Sequence, residues 1–334
     1  MADFHLVTGA TGLLGSHVAE QLRQRGYPVR ALVRKGTDTA LLQSWGVECV
    51  VADLERPQTL PAALDGVAVV YHCAARVGDW GPRELYQRAI VDAVGNLLIA
   101  CQSAGVGRVV HVSSINVYGR TPPPPGGFDE EQPLGQRLWW WDYYCRAKID
   151  AEDLVRAYPR PWTIVRPSWI YGPRDRNSFP RVVRAMQAGR VRVIGDGSNR
   201  LNIVYVADIA DAVIRAGTTP GAVGRAYNLS SRGDVTQREF LDALCRELNL
   251  PPITRHISYS LAFTYGFLAE AWGRAVGWRE PPPVTRYAVA LVGRPTSYRI
   301  ERAAQELGWT PQTHAMEGLR RTLEWYRPML ESPK

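Results

Sequence analysis

Residues 4–15 read Phe4-His5-Leu6-Val7-Thr8-Gly9-Ala10-Thr11-Gly12-Leu13-Leu14-Gly15. Phe4–Val7 is a short, mostly apolar run with strand character. Residues 16–25 continue as a helix, because Leu14, Val18 and Leu22 recur at i, i+4, i+8 and make one buried stripe. A glycine-rich turn thus joins a buried strand to an amphipathic helix. Gly9 lets the chain leave the strand sharply, Gly12 lets backbone amides approach a pyrophosphate, and Gly15 lets the helix lie close to the sheet. The helix N-terminus then faces the phosphates with free N–H groups and its positive dipole end. The spacing is GxxGxxG, so the dinucleotide fingerprint is matched in mechanism rather than letter by letter.

Strand and helix signals alternate from this turn onward. Strands are expected at 29–33, 47–52, 67–72, 108–112 and 162–165, with helices at 86–104 and from Trp139 to about Tyr158. Six alternations over roughly 165 residues predict an α/β, Rossmann-type doubly wound parallel sheet. Residues 203–206 and 226–229 are expected as further strands of that sheet. Helices at 180–188, 236–248, 256–276 and 300–307 predict a smaller mixed α/β C-terminal cap. The expected division is a dinucleotide-binding domain at 1–167 plus 201–229, and a substrate-binding cap at 168–200 plus 230–334. The apolar, aromatic run 256–278 reads as a packed helix, a lid over a greasy substrate, or a membrane-surface helix.

Composition narrows the function. The 334 residues suffice for a large core, and no apolar run approaches the ~20 residues of a membrane span. The first strand starts too near Met1 to leave room for a signal peptide, which predicts a cytoplasmic protein. Five scattered cysteines without a CxxC pair, and six histidines without ligand spacing, argue against a disulfide framework and against any metal site. The net charge of +8 is spread along the chain and predicts no nucleic-acid partner. Only Lys35, Lys148 and Lys334 are lysine among forty basic residues, which singles each of them out.

The strand ends supply the cofactor contacts. Arg34 and Lys35 follow the second strand, where a basic residue suits a 2′-phosphate. They favour NADP, while nearby Asp38 keeps NAD open. Asp53, with Leu54 beside it, follows the third strand, where a carboxylate can accept from an adenine amino group. The small residues Cys73, Ala74 and Ala75 let backbone lie against a ribose and nicotinamide. Ser113 and Ser114 sit at the carboxyl end of the fifth strand, where open α/β sheets place ligands.

Tyr144 and Lys148 lie four apart on an expected helix and so share a face. A tyrosine titrating near ~10 is a poor base at neutral pH, but a nearby ammonium lowers that value. Tyr144 can then trade a proton with a substrate oxygen as hydride moves. Ser114 holds the same oxygen and steadies its developing charge.

These motifs in combination resemble the extended short-chain dehydrogenase/reductase family, over nearly the whole chain. TGATGLLG resembles its cofactor loop, which implies Gly9, Thr11, Gly12, Leu13, Leu14 and Gly15 as cofactor contacts. VSSINVYG resembles its serine segment and Tyr144-Cys-Arg-Ala-Lys148 its YxxxK. Arg166-Pro167-Ser168-Trp169-Ile170-Tyr171-Gly172-Pro173 resembles its RPxxxYGP stretch, usually beside the nicotinamide, which implies Pro167 and Ile170 as contacts. The stretch from Gly195 to Val206 is similar to the GDGxNxxxxxYV of 3β-hydroxysteroid dehydrogenases. Sugar-nucleotide epimerases and dehydratases often carry an arginine where this chain has Leu201, although Arg200 is adjacent. The resemblance implies an NAD(P)-dependent oxidoreductase acting on a bulky, partly apolar, sterol- or lipid-like small molecule. The alternative is a nucleotide-sugar epimerase or dehydratase. It also implies a homodimer formed through the Tyr144 helix and residues 86–104. Ile90, Ala93 and Val94 stand where the family usually has an asparagine and a GT pair.

Overall fold

The structure, a computed structural model, describes residues 3–331, so Lys334 lies outside it. In chain order its strands are β1 (Phe4–Thr8), β2 (Val29–Val33), β3 (Glu48–Val51), β4 (Val67–His72), β5 (Arg108–Val112), β6 (Trp162–Pro167), β7 (Trp169–Tyr171), β8 (Val193–Ile194), β9 (Ile203–Tyr205), β10 (Arg225–Leu229) and β11 (His256–Ile257). Seven of them form one parallel sheet in the order β10-β6-β5-β4-β1-β2-β3. The winding direction reverses between β1 and β4, where Thr8 pairs with His72. Ligands of open α/β sheets bind at such a reversal.

The helices are α1 (Leu13–Gln24), α2 (Ala40–Ser44), α3 (Leu60–Leu64), α4 (Arg83–Tyr86), α5 (Ala93–Ala104), α6 (Tyr143–Arg156), α7 (Ser178–Gln187), α8 (Val206–Thr218), α9 (Gln237–Glu247), α10 (Tyr259–Ala275), α11 (Arg286–Gly293), α12 (Glu301–Leu307) and α13 (Ala315–Glu331). A π-helical segment, Gln87–Asp92, joins α4 to α5. Both sheet faces are covered. The pleat of β1 sends Val7 into one core with Val18, Leu22 and Val213, and Leu6 into the other with Leu60, Leu97 and Ile164. Each such fully buried aliphatic side chain contributes about 1.5–3 kcal/mol.

Residues 203–206 depart from expectation. Ile203–Tyr205 pairs with Trp169–Tyr171 in a separate two-stranded sheet rather than joining the main one. Val206 opens α8, which packs beside α1, where Gln21 Nε2 donates to the Ala207 carbonyl at 2.8 Å. The Trp139–Trp141 run also differs, because the helix starts only at Tyr143. Asp142 sits at non-helical φ −82°, ψ 51°, and its carboxylate binds Arg120 instead of capping the helix. The segment from His256 begins as a short strand before α10.

The cap builds its own core from Phe179, Leu244, Leu319 and Tyr326. Helix α10 is apolar on both faces. Its inner face meets the tryptophan run, with Trp139 5.3 Å from Phe263 and Trp141 stacked on Phe267. Its outer face exposes Leu261, Tyr265, Leu268 and Trp272. Among the described residues no helix is long and apolar enough to cross a membrane.

Candidate active site

The site is assembled where β1, β4, β5 and α6 meet. Gly9 has φ +67°, and a Cβ there would lie 2.8 Å from the Ala74 backbone. A Cβ on Gly15 would lie 2.2 Å from the Gly9 carbonyl oxygen. Both positions therefore exclude any larger residue. Gly12 caps α1, its N–H donates to the Gly9 carbonyl at 2.9 Å, and no side chain caps the helix. Thr11 and Gly12 are exposed, Leu13 is half-buried and Leu14 is buried. This cradle of bare backbone with an uncapped helix N-terminus fits a dinucleotide pyrophosphate.

Thr8 ties the two strand ends together. Its hydroxyl accepts from the Ala74 amide at 3.2 Å and lies 2.8 Å from His72 Nδ1. Cys73, Ala74 and Ala75 are half-buried beside the turn. Burial pushes the Cys73 thiol up to about 12, so it is not a nucleophile. His72 and His111 stack at 5.5 Å, and burial, helped by the charge of Lys148, holds both far below their ordinary value. Both rings stay neutral.

Lys148 is 2% exposed and its Nζ donates to the Val112 carbonyl at 2.8 Å. Burial lowers it to about 8, against the pull of Glu152. Glu152, one turn further on α6, binds Arg166 through two hydrogen bonds of 2.9 and 2.7 Å. Both side chains are completely buried. Arg166 is therefore committed to α6. Ser113 is buried nearby, and against the effect of burial Arg166 holds the Glu152 carboxyl below its ordinary value. Pro167 ends β6 beside Leu229, and half-buried Ile170 packs against the core that holds Leu14.

Ser114 Oγ accepts from the Asn116 backbone at 3.2 Å and from Asn116 Nδ2 at 3.0 Å. Its own proton is left for another acceptor. Tyr144 is raised by burial above its ordinary value, and hydrogen bonding with Ser114 works in the opposite direction. Burial is the largest influence on the ring, and the Lys148 ammonium, one turn along the same helix, donates to the Val112 carbonyl. Ser114 and Tyr144 are brought together, while Lys148 projects from the same helix toward the ends of β4 and β5.

Asn116 escaped the sequence reading. It also donates to the Tyr287 hydroxyl of α11 at 3.2 Å and accepts from Arg120 at 3.1 Å, so it links the serine to the cap. Ile90 and Val94 fill the adjoining core with apolar groups, beside the π-helical segment. The residues expected to meet the outer part of the cofactor are mixed in character. Arg34 and Lys35 are exposed and have no side-chain partner among the described residues. Asp38 accepts from the Ala40 amide at 3.0 Å, and Asp53 accepts from the Glu55 amide at 3.0 Å. One oxygen of each carboxylate is thus occupied by its own turn. Asn96 Nδ2 fastens the Leu54 carbonyl at 2.8 Å.

A cavity of about 50 Å³ lies between Asn116 and the cap, lined by Trp169, Leu201, Asn202, Tyr287, Arg294 and Tyr298 among others. Leu201 is buried, and Arg200 turns to the Gly233 carbonyl at 2.7 Å. A larger cavity, about 320 Å³, lies between Tyr86, Tyr143 and Arg146. Neither the glycine turn nor Ser114 lines it.

The NAD dependent epimerase/dehydratase family model matches residues 5–230. A 2-alkyl-3-oxoalkanoate reductase of Stenotrophomonas maltophilia is 33% identical, over 95% of this chain and 97% of its own. The human sterol-4-alpha-carboxylate 3-dehydrogenase, decarboxylating, is 29% identical, over 96% and 87%. The solved structure of MoeE5 in complex with UDP-glucose and NAD is 28% identical and superposes with a TM-score of 0.75, covering 99% of this chain and 100% of that one. The chain is an enzyme of the NAD-dependent epimerase/dehydratase family, the extended short-chain dehydrogenase/reductases that its motifs resemble.

Proposed function

We propose that the protein is an NADP(H)-dependent reductase of a ketone on a bulky, partly apolar substrate. The placing of Ser114 beside the Tyr144 phenol, on the helix that also carries the buried Lys148, supports this reading. A protonated Tyr144 is an acid, which suits carbonyl reduction. The bound nicotinamide supplies the hydride. Ser114 holds the ketone oxygen, Tyr144 gives its proton to that oxygen as charge develops, and Lys148 supports the phenolate left behind. The unpartnered Arg34 and Lys35 favour the 2′-phosphate of NADP.

Both curated relatives are named for chemistry at a carbon 3 oxygen, next to the carbon that bears a carboxylate. A sugar-nucleotide substrate, as in MoeE5, is the second reading. The apolar Leu201 and the engaged Arg200 disfavour it, because neither offers a free charge to a diphosphate. Exposed Ile99 on α5 and Leu154 on α6 favour a homodimer through those helices. The test is NADPH oxidation with a 2-alkyl-3-oxoalkanoate. Tyr144→Phe should lose about 100-fold or more in kcat and keep its affinity for NADPH. Near-normal turnover would refute the assignment.

A further inference from the structure

The cavity next to Asn116 holds an imbalance of charge. Two guanidiniums line it and no acidic residue does. Arg120 is neutralised, since Asp142 accepts from its Nε and Nη2 at 2.7 Å each. Arg294, just after α11, is not. Its side chain is half-buried and donates from Nη1 to the Arg120 carbonyl at 2.7 Å. No carboxylate lies within ion-pair distance of it among the described residues. A guanidinium taken partly out of water calls for a counterion and brings a planar fork of donors that fits a carboxylate.

We propose that Arg294 is the subsite for the substrate's carboxylate, so that the enzyme selects 3-oxo acids over neutral ketones. This rests on the reductase reading above. Asn116 connects the two halves of the site. Its amide bonds Ser114 Oγ, where the ketone oxygen is held, and its side chain lines the cavity that Arg294 also lines. A cavity of about 50 Å³ has room for a carboxylate. Leu201, Ile203 and Trp169 wall the rest with apolar groups, which suits an alkyl chain and would leave a second anionic group unsolvated.

The test compares a 2-alkyl-3-oxoalkanoate with its methyl ester, each with NADPH, in the wild type, Arg294→Gln and Arg294→Lys. The wild type should prefer the acid in kcat/KM. Arg294→Gln should raise KM for the acid about 10- to 100-fold, the range of charge-assisted hydrogen bonds, and shift the ester much less. Arg294→Lys should recover part of the loss. Equal loss on acid and ester in both variants, or no loss on either, would overturn the subsite and leave the reductase reading standing. A wild type that reduces neither ketone would overturn the reductase reading, and the subsite with it.

Discussion

Glu152→Gln tests the electrostatics of the site most directly. The substitution keeps the side chain's shape and removes one charge from a fully buried pair, leaving Arg166 uncompensated. Breaking such a pair from one side costs about 3–5 kcal/mol of stability. The second effect falls on Lys148. Two charges about 6 Å apart, at an effective dielectric of about 20, interact by roughly 3 kcal/mol, or about two pKa units. Arg166 acts on Lys148 in both proteins, so the substitution loses the whole of this attraction. In the wild type the ammonium is present below about 8 and is lost as pH rises through that value. If it supports the phenolate, kcat should fall over the same window. Tyr144, shifted upward, keeps its proton there and adds no opposing limb. In Glu152→Gln the alkaline limb should move down by up to roughly two pH units. The assay is kcat against pH at saturating substrate and NADPH, with urea unfolding in parallel. A variant that is destabilised as expected yet keeps its alkaline limb in place would show that Lys148 does not govern the proton transfer.

Two further outcomes follow from the cofactor cradle. Gly15→Ala, whose Cβ would collide with the Gly9 carbonyl, should destabilise the fold and abolish NADPH binding, read by thermal unfolding with and without the nucleotide. The Arg34→Ala/Lys35→Ala pair should weaken NADPH binding by about 10-fold or more and leave NADH binding nearly unchanged, read by titration calorimetry. Equal losses for both nucleotides would remove the 2′-phosphate assignment.

The strand–turn–helix at residues 4–24 and the order of the first six strands were legible because each has a strong local signal. These signals are apolar runs at the strand positions and a regular stripe on α1. Helix α8 was hidden for another reason: Asp208, Asp211, Arg215 and Thr218 recur at i, i+3, i+7 and i+10 and mark a polar face, but the β-branched and aromatic run at 203–206 that leads into it reads as strand. The pairing of Ile203–Tyr205 with β7 outside the main sheet was equally hidden, because period-2 patterning does not name a partner strand. Within the site, the Tyr144–Lys148 spacing was readable from helix geometry. Asn116 was not, since its role depends on a short turn after β5 that aims its amide back at Ser114. The burial that raises the Tyr144 phenol is a property of the packed fold, which helix spacing alone does not display.

The strand order also shapes how the chain is made. β6 has β5 on one side and waits for β10 on the other, and residues 168–224 must be synthesised between them. At translation rates of about 5–20 residues per second, that interval lasts roughly 3–12 s. During it, a nascent chain that has already assembled its first six strands presents Ile164 and Val165 along an open row of backbone donors and acceptors. Pairing with another chain along that row competes with the arrival of β10 until residues 225–229 emerge.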